Sequence, residues 1–167
     1  AAVSNGSSNL VELGYLVTMN VTADISGIDM PENNFLKTRN LLRLVKIFSE
    51  GATLVHSLKN KKKIRQQVLD ALEVFDKEFY SSSLNRRKGL LKKFECGEIN
   101  EDHLPKDILT LLLRNQKKLH LSNEIIRREV AFYLQAGSHS TANASTHAFH
   151  ELFEWIKFHP EDKNLNM

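Results

Sequence analysis

The chain has one cysteine, Cys96, three prolines, Pro31, Pro105 and Pro160, and one tryptophan in 167 residues. A single cysteine excludes an internal disulfide and any zinc site built on paired thiolates. It suits a reducing compartment, so a cytoplasmic location is expected. No run of 18 or more apolar residues occurs, which leaves no candidate membrane span. The first nine residues, Ala1 to Asn9, carry neither a basic nor an apolar leader segment, so no signal peptide is expected and the chain reads as soluble.

Charge of one sign is also scarce, the net charge being only +3. The basic residues do cluster, as Lys59, Lys61, Lys62, Lys63 and Arg65, then Arg86, Arg87, Lys88, Lys92 and Lys93. Interleaved aromatics and a recognition motif are missing, so no nucleic-acid partner is expected and these clusters read as solvated helix faces. Three Asn-x-Ser/Thr matches, at Asn5, Asn20 and Asn143, carry little weight because the pattern is short.

What is present is helical periodicity. Apolar residues make up 41% and charged ones 26%, a balance that supports one packed domain. Residues 10 to 26 place Leu10, Leu13, Leu16, Val17, Val21 and Ile25 at helical spacing, and Gly27 with Pro31 supplies a stop. A second helix is predicted over 33 to 58, with an interruption at Gly51. A third is predicted over 61 to 80, with Ile64, Val68, Leu72, Phe75 and Phe79 on one stripe, continuing towards Phe94. Residues 95 to 103 read as a surface loop. Pro105 is expected to open a short helix whose leucines, Leu109 and Leu111 to Leu113, are apolar on more than one face and therefore buried.

From Ser122, a predicted N-cap, the helical pattern runs without a proline to Phe158. At 1.5 Å per residue such a helix is roughly 55 Å long, far beyond the average of about 11 to 12 residues. No coiled-coil heptad accompanies it, so a helix traversing a whole domain is expected. The fold class read from the sequence is all-α.

At its middle stands Ala136-Gly137-Ser138-His139-Ser140-Thr141-Ala142. Gly137 costs about 1 kcal/mol against alanine in a helix interior, and Ser and Thr hydroxyls bond the preceding turn's carbonyls and bend the axis. Two readings explain the run. Small residues permit tight packing against a neighbouring helix, or they let a flat group approach the backbone while hydroxyl and imidazole groups pass protons.

The wider context, Glu129-Val-Ala-Phe-Tyr-Leu-Gln-Ala-Gly-Ser-His-Ser-Thr-Ala-Asn and the closing Glu151-Leu-Phe-Glu-Trp-Ile-Lys-Phe-His-Pro-Glu161, resembles the long central helix of the cytochromes P450. That family carries Ala-Gly-x-Asp/Glu-Thr, then a helical Glu-Leu and a His-Pro exit. Leu104-Pro-Lys-Asp-Ile-Leu-Thr-Leu-Leu-Leu113 looks like its preceding short helix. The resemblance is strong over 104 to 162 and confined to helical layout over 35 to 103. It implies the helical central part of a mostly α haem-thiolate monooxygenase of the soluble bacterial type. Dioxygen, a small organic substrate and an electron-transfer partner are implied with it.

On that resemblance Ala136, Gly137 and Thr141 would border the haem, His139 falls where the family has an acid, and Ser140 where it has the threonine. The pair His139 and Ser140 is the implied proton-delivery set. The family's Glu-x-x-Arg and cysteine loop lie downstream of this helix, and the sequence reaches Met167 before either; Phe94-Glu95-Cys96-Gly97-Glu98 lacks the loop's pattern. The 167 residues are thus expected to form one partial domain, inactive alone and loosely packed, with apolar surface exposed. Two rival readings are a metal site on His147, His150, Glu151 and Glu154, spaced along one helical face, and a non-enzymatic helical interaction module or inactive remnant.

Overall fold

The computed structural model describes residues 3–4, 7–31, 34–56, 58 and 60–164. A two-residue antiparallel pairing of β1 (Val3–Ser4) with β2 (Ser7–Ser8) precedes the helices. The rest is helical: α1 (Leu10–Ser26), α2 (Phe35–Ala52), α3 (Lys61–Phe75), α4 (Ser81–Glu95), α5 (Ile108–Asn115) and α6 (Asn123–Phe158). The all-α class expected from periodicity is what the structure has.

Helix starts are set by short polar side chains. Asn9, Asn34, Asn60, Asp107 and Ser122 each accept a hydrogen bond from a backbone N–H in the first turn of α1, α2, α3, α5 and α6, satisfying donors that a helix end otherwise leaves unpaired. α1 ends on Gly27 at φ 87°, where the Gly27 and Ile28 N–H groups bond the Asp24 and Ala23 carbonyls. That left-handed position suits glycine. A Cβ there would also come within 2.7 Å of the Asp107 carboxylate and Leu109.

α3 and α4 form one continuous helical run joined by a π turn, Asp76–Tyr80. A π turn inserts one extra residue, which rotates the whole of α4 about the common axis. This is why Phe75, Phe79 and the adjacent Tyr80 are all buried. Phe75 is the hub, edge-on to Phe48 at 5.8 Å and parallel to Phe79 at 6.3 Å. The core gathers Met19 and Ala23 of α1, Leu41, Leu44 and Val45 of α2, these aromatics, and Ile126, Val130 and Leu134 of α6. Each large apolar side chain so buried stabilises by roughly 1.5–3 kcal/mol.

Some expected faces differ. In α1 the core takes Leu16, Met19 and Ala23, whereas Val17, Val21 and Ile25 are exposed. The apolar residues of α1 lie on both sides of the helix, and α6 covers only one. α5 starts at Ile108 on its Asp107 cap, three residues after Pro105, and buries Leu109 and Thr110 while Leu111 is exposed. It is thus covered on one face, not clamped all round. The predicted limits 33 and 58 of the second helix contract to 35 and 52, with a 3-10 turn at Leu54–His56; Asn33 and Ser57 lie outside the described residues, as do Asn5 and Lys59.

α6 organises the rest, packing on α1, α2 and α5. Its buried positions stop at Ala142. Beyond it Phe149, Phe153, Trp155 and Phe158 are exposed, so the C-terminal half of α6 projects past the packed body. Its end is closed by His159 stacked on Trp155 at 3.8 Å and by the Trp155 indole N–H donating to Asp162 at 2.8 Å. Among the described residues, no helix is long and apolar enough to cross a membrane.

Candidate functional site

The middle of α6 has two sides with different surroundings. On one, α1 crosses at Gly137 and Ser138. A Cβ on Gly137 would sit 2.8 Å from Cγ2 of Thr22. Ser138 is fully buried, and its carbonyl accepts a hydrogen bond from the Thr18 hydroxyl at 3.3 Å. Thr18 also donates to Gly14 O at 2.8 Å. The small residues therefore let two helix backbones approach closely, and the weak helix propensity at Gly137 is offset by that contact.

His139 lies beside this crossing. Its ring meets Tyr15 edge-on at 5.5 Å, and its Nδ1 is 3.1 Å from the Ser138 hydroxyl. The Tyr15 hydroxyl donates to Asn143 at 2.9 Å, and the Lys46 ammonium stands 5.5 Å from the Tyr15 ring centre. Burial pushes the imidazole below its ordinary 6.5, and the Lys46 charge adds to the shift. The ring is therefore neutral at pH 7.

The other side is open. Ala136 and Ser140, one turn apart, are both exposed, with Phe132 a turn before and Ala144 a turn after. The Ser140 hydroxyl donates to Ala136 O at 2.8 Å, the back-bond typical of a helical serine. Together they make a shelf of small side chains. Next to it, Ala136, Gly137 and Thr141 share with Val21, Ile25 and Ser26 a groove of about 510 Å³ between α1 and α6. The Ser26 hydroxyl is buried there without a partner among the described residues.

The five residues singled out from the sequence thus fall into two groups. Ala136, Gly137, Ser140 and Thr141 adjoin one another around the shelf and groove, whereas His139 turns towards Tyr15 and makes no hydrogen bond with Ser140. Successive helical residues point about 100° apart, which separates the two. Tyr15, Lys46 and Thr22, which shape the site, come from distant helices, and only His139 and Asn143, one turn apart, hint at the Tyr15 contact. Cys96 is exposed at the C-cap of α4, away from the shelf in sequence and in element. Among the described residues no three His, Cys, Asp or Glu side chains converge to hold a metal, His147, His150, Glu151 and Glu154 included. Compared with family models, curated proteins and solved structures, the chain matches none.

Proposed function

We propose that this chain is a helical part of a haem-thiolate monooxygenase, with α6 lying over one face of the haem. The observation that carries the reading is the exposed shelf at Ala136 and Ser140 with its one hydroxyl. A flat macrocycle needs a face free of large side chains, and this shelf fits that need. The axial thiolate has no counterpart there, since the sole cysteine caps α4, so another segment must supply it. When bound, the haem supplies the activation of dioxygen for insertion of one oxygen atom into a small organic substrate, with electrons from a redox partner.

The chain's own residues would position and move protons. Ser140 would hold a hydroxyl proton at the shelf, where it now donates to Ala136 O, as a hydrogen-bond donor available to the haem side. His139 would hold a proton beside Ser138, and a water would have to carry it to Ser140, which the ring does not contact.

Titration with ferric haem tests this. The wild-type chain should perturb the haem Soret band, Ala136→Trp should abolish the perturbation, and Phe149→Ala should leave it intact. Equal binding by wild type and Ala136→Trp would overturn the proposal. In a full-length enzyme, Ser140→Ala should lower product formed per electron consumed while leaving substrate binding unchanged.

A second reading, a non-enzymatic helical interaction module, is favoured by the Gly137–Thr22 contact, which explains the small residues without a cofactor, and by the exposed aromatics of α6. It predicts no saturable haem site.

A further inference from the structure

A second cavity lies on the opposite flank of α6, between α2, α3 and the turn of α6 that precedes the shelf. Its volume is about 530 Å³, within the usual range for small-molecule sites of about 300–1,000 Å³. Phe48 closes its inner end, Val68, Leu69 and Leu72 form one wall, and Ala131 and Phe132 form the other. The floor is made by Gly51, where any Cβ would meet Val68 at 2.6 Å; glycine there brings α2 against α3. Although the walls are hydrocarbon, Leu69 and Phe132 are each more than half exposed. Uncovered apolar wall of this kind is costly in water.

Three polar groups interrupt the walls, Arg65, Arg128 and Gln135. Among the described residues Arg128 pairs only with Glu124 of its own helix, both exposed, a contact worth little. Arg65 has no acidic partner among the described residues, and no acidic side chain among them lines the cavity. A hydrocarbon slot whose charged residues are two guanidinium groups suits a ligand with an alkyl chain and one carboxylate, because a guanidinium pairs with a carboxylate in a two-pronged hydrogen bond.

We infer that this cavity binds a medium-chain or long-chain alkyl carboxylate, with the chain along Phe48, Leu72 and Phe132 and the carboxylate at Arg65 and Arg128. The inference does not depend on the haem proposal, since none of Ala136, Gly137, Ser140 and Thr141 lines this cavity.

Calorimetric titration of the 167-residue chain with dodecanoate, below its micelle concentration, tests it. Dodecanoate should bind at one site, and dodecanol and dodecyltrimethylammonium at least about tenfold more weakly. Arg65→Ala should weaken dodecanoate roughly three- to tenfold and leave dodecanol unchanged, the smaller figure reflecting the exposure of Arg65. Leu72→Trp should abolish binding of both, and Leu69→Glu, at an exposed position that the fold tolerates, should do the same for dodecanoate. Ala136→Trp should change nothing here, so failure of the haem test and of this one are separate results. Equal affinity for dodecanol and dodecanoate, no saturable binding, or indifference to both Arg65→Ala and Leu69→Glu would overturn the inference.

Discussion

The Cα of Gly137 on α6 faces Thr22 of α1 so closely that the first carbon of any side chain would stand 2.8 Å from the threonine methyl and 3.2 Å from its hydroxyl. Thr22 is almost fully buried and β-branched, so it cannot turn aside cheaply within its helix.

Two effects compete at Gly137→Ala. Alanine gains about 1 kcal/mol of helix propensity, and overpacking a fixed contact costs about 1–3 kcal/mol. The contact is expected to win, destabilising by about 1 kcal/mol. Adding Thr22→Ala should remove the clash, so that the double variant is more stable than the sum of the singles predicts. Urea unfolding of all four proteins reads the coupling, and strict additivity would show that the helices simply move apart.

The ion network around Arg87 ties α4 to the end of α1 and the start of α5. Arg87, buried, lies 2.8 Å from Asp107 and 3.0 Å from Asp29, which Arg86 also binds at 2.9 Å. Arg87→Met should destabilise by about 3–5 kcal/mol, because Asp107 is left buried without its partner. Burial pushes the Asp29 carboxyl up, but hydrogen bonds from Arg86 and Arg87 outweigh it and hold the carboxyl below its ordinary 3.8. The folded state therefore binds that proton less readily than the unfolded one. Stability from Asp29 is complete above pH 3.8 and is lost as the pH falls through the lower folded value. Asp29→Asn should flatten the acid limb of a stability-against-pH curve; an unaltered limb would place the acid sensitivity elsewhere.

His139 acts in a higher window. Its folded pKa lies below 6.5, so between that depressed value and 6.5 the unfolded chain holds more protons and stability rises with pH. Acidification from pH 7 should cost stability as the pH passes below 6.5, and Lys46→Gln should lessen the loss by removing the repelling charge. Thermal melts across pH 5 to 7 for wild type, His139→Gln and Lys46→Gln would decide; parallel curves for all three would refute the assignment.

Tyr80 is the reverse case of a polar group in the wrong place. Its ring packs on Phe75 at 6.0 Å, while its hydroxyl is buried with no partner among the described residues. Burial first, then the Asp76 carboxylate, pushes its pKa up to about 12, with Arg127 opposing. Tyr80→Phe removes an unpaired hydroxyl and should be neutral or stabilising by about 1 kcal/mol, a rise of roughly 2–4 °C in Tm for a chain of this size. A fall of that size would instead reveal a buried water joining Tyr80 to the Arg127 Nε, which is likewise unpaired.

Helix limits were legible where a local device sets them. Gly27 and Ser122 are such devices, and helices 10 to 26 and 122 to 158 stand close to where periodicity and these signals place them. Which face is buried was not legible in α1, because Val17, Val21 and Ile25 are as apolar as Leu16 and Met19. Only the crossing of α6 selects between them. At the candidate site the small run was visible, but its use was not. Thr18 and Thr22 meet Ser138 and Gly137 from more than a hundred residues away, and nothing local announces such a partner. The π turn was equally hidden, since Asp76 to Tyr80 is an ordinary helical sequence that only the burial of both Phe79 and Tyr80 draws out of phase.

That extra residue makes the joint between α3 and α4 a phase-setting element. Deleting one residue from Asp76–Tyr80 would restore a plain α-helix and wind everything after it back by about 100°, with a recoil of about 1.5 Å along the axis. Ser83 would leave the Asp29 N–H that it now caps at 2.9 Å, and Arg87 would swing off Asp107 and Asp29 together. A single-codon loss there would act as a gear slip, leaving every helix intact and disengaging α4 from the two segments it holds.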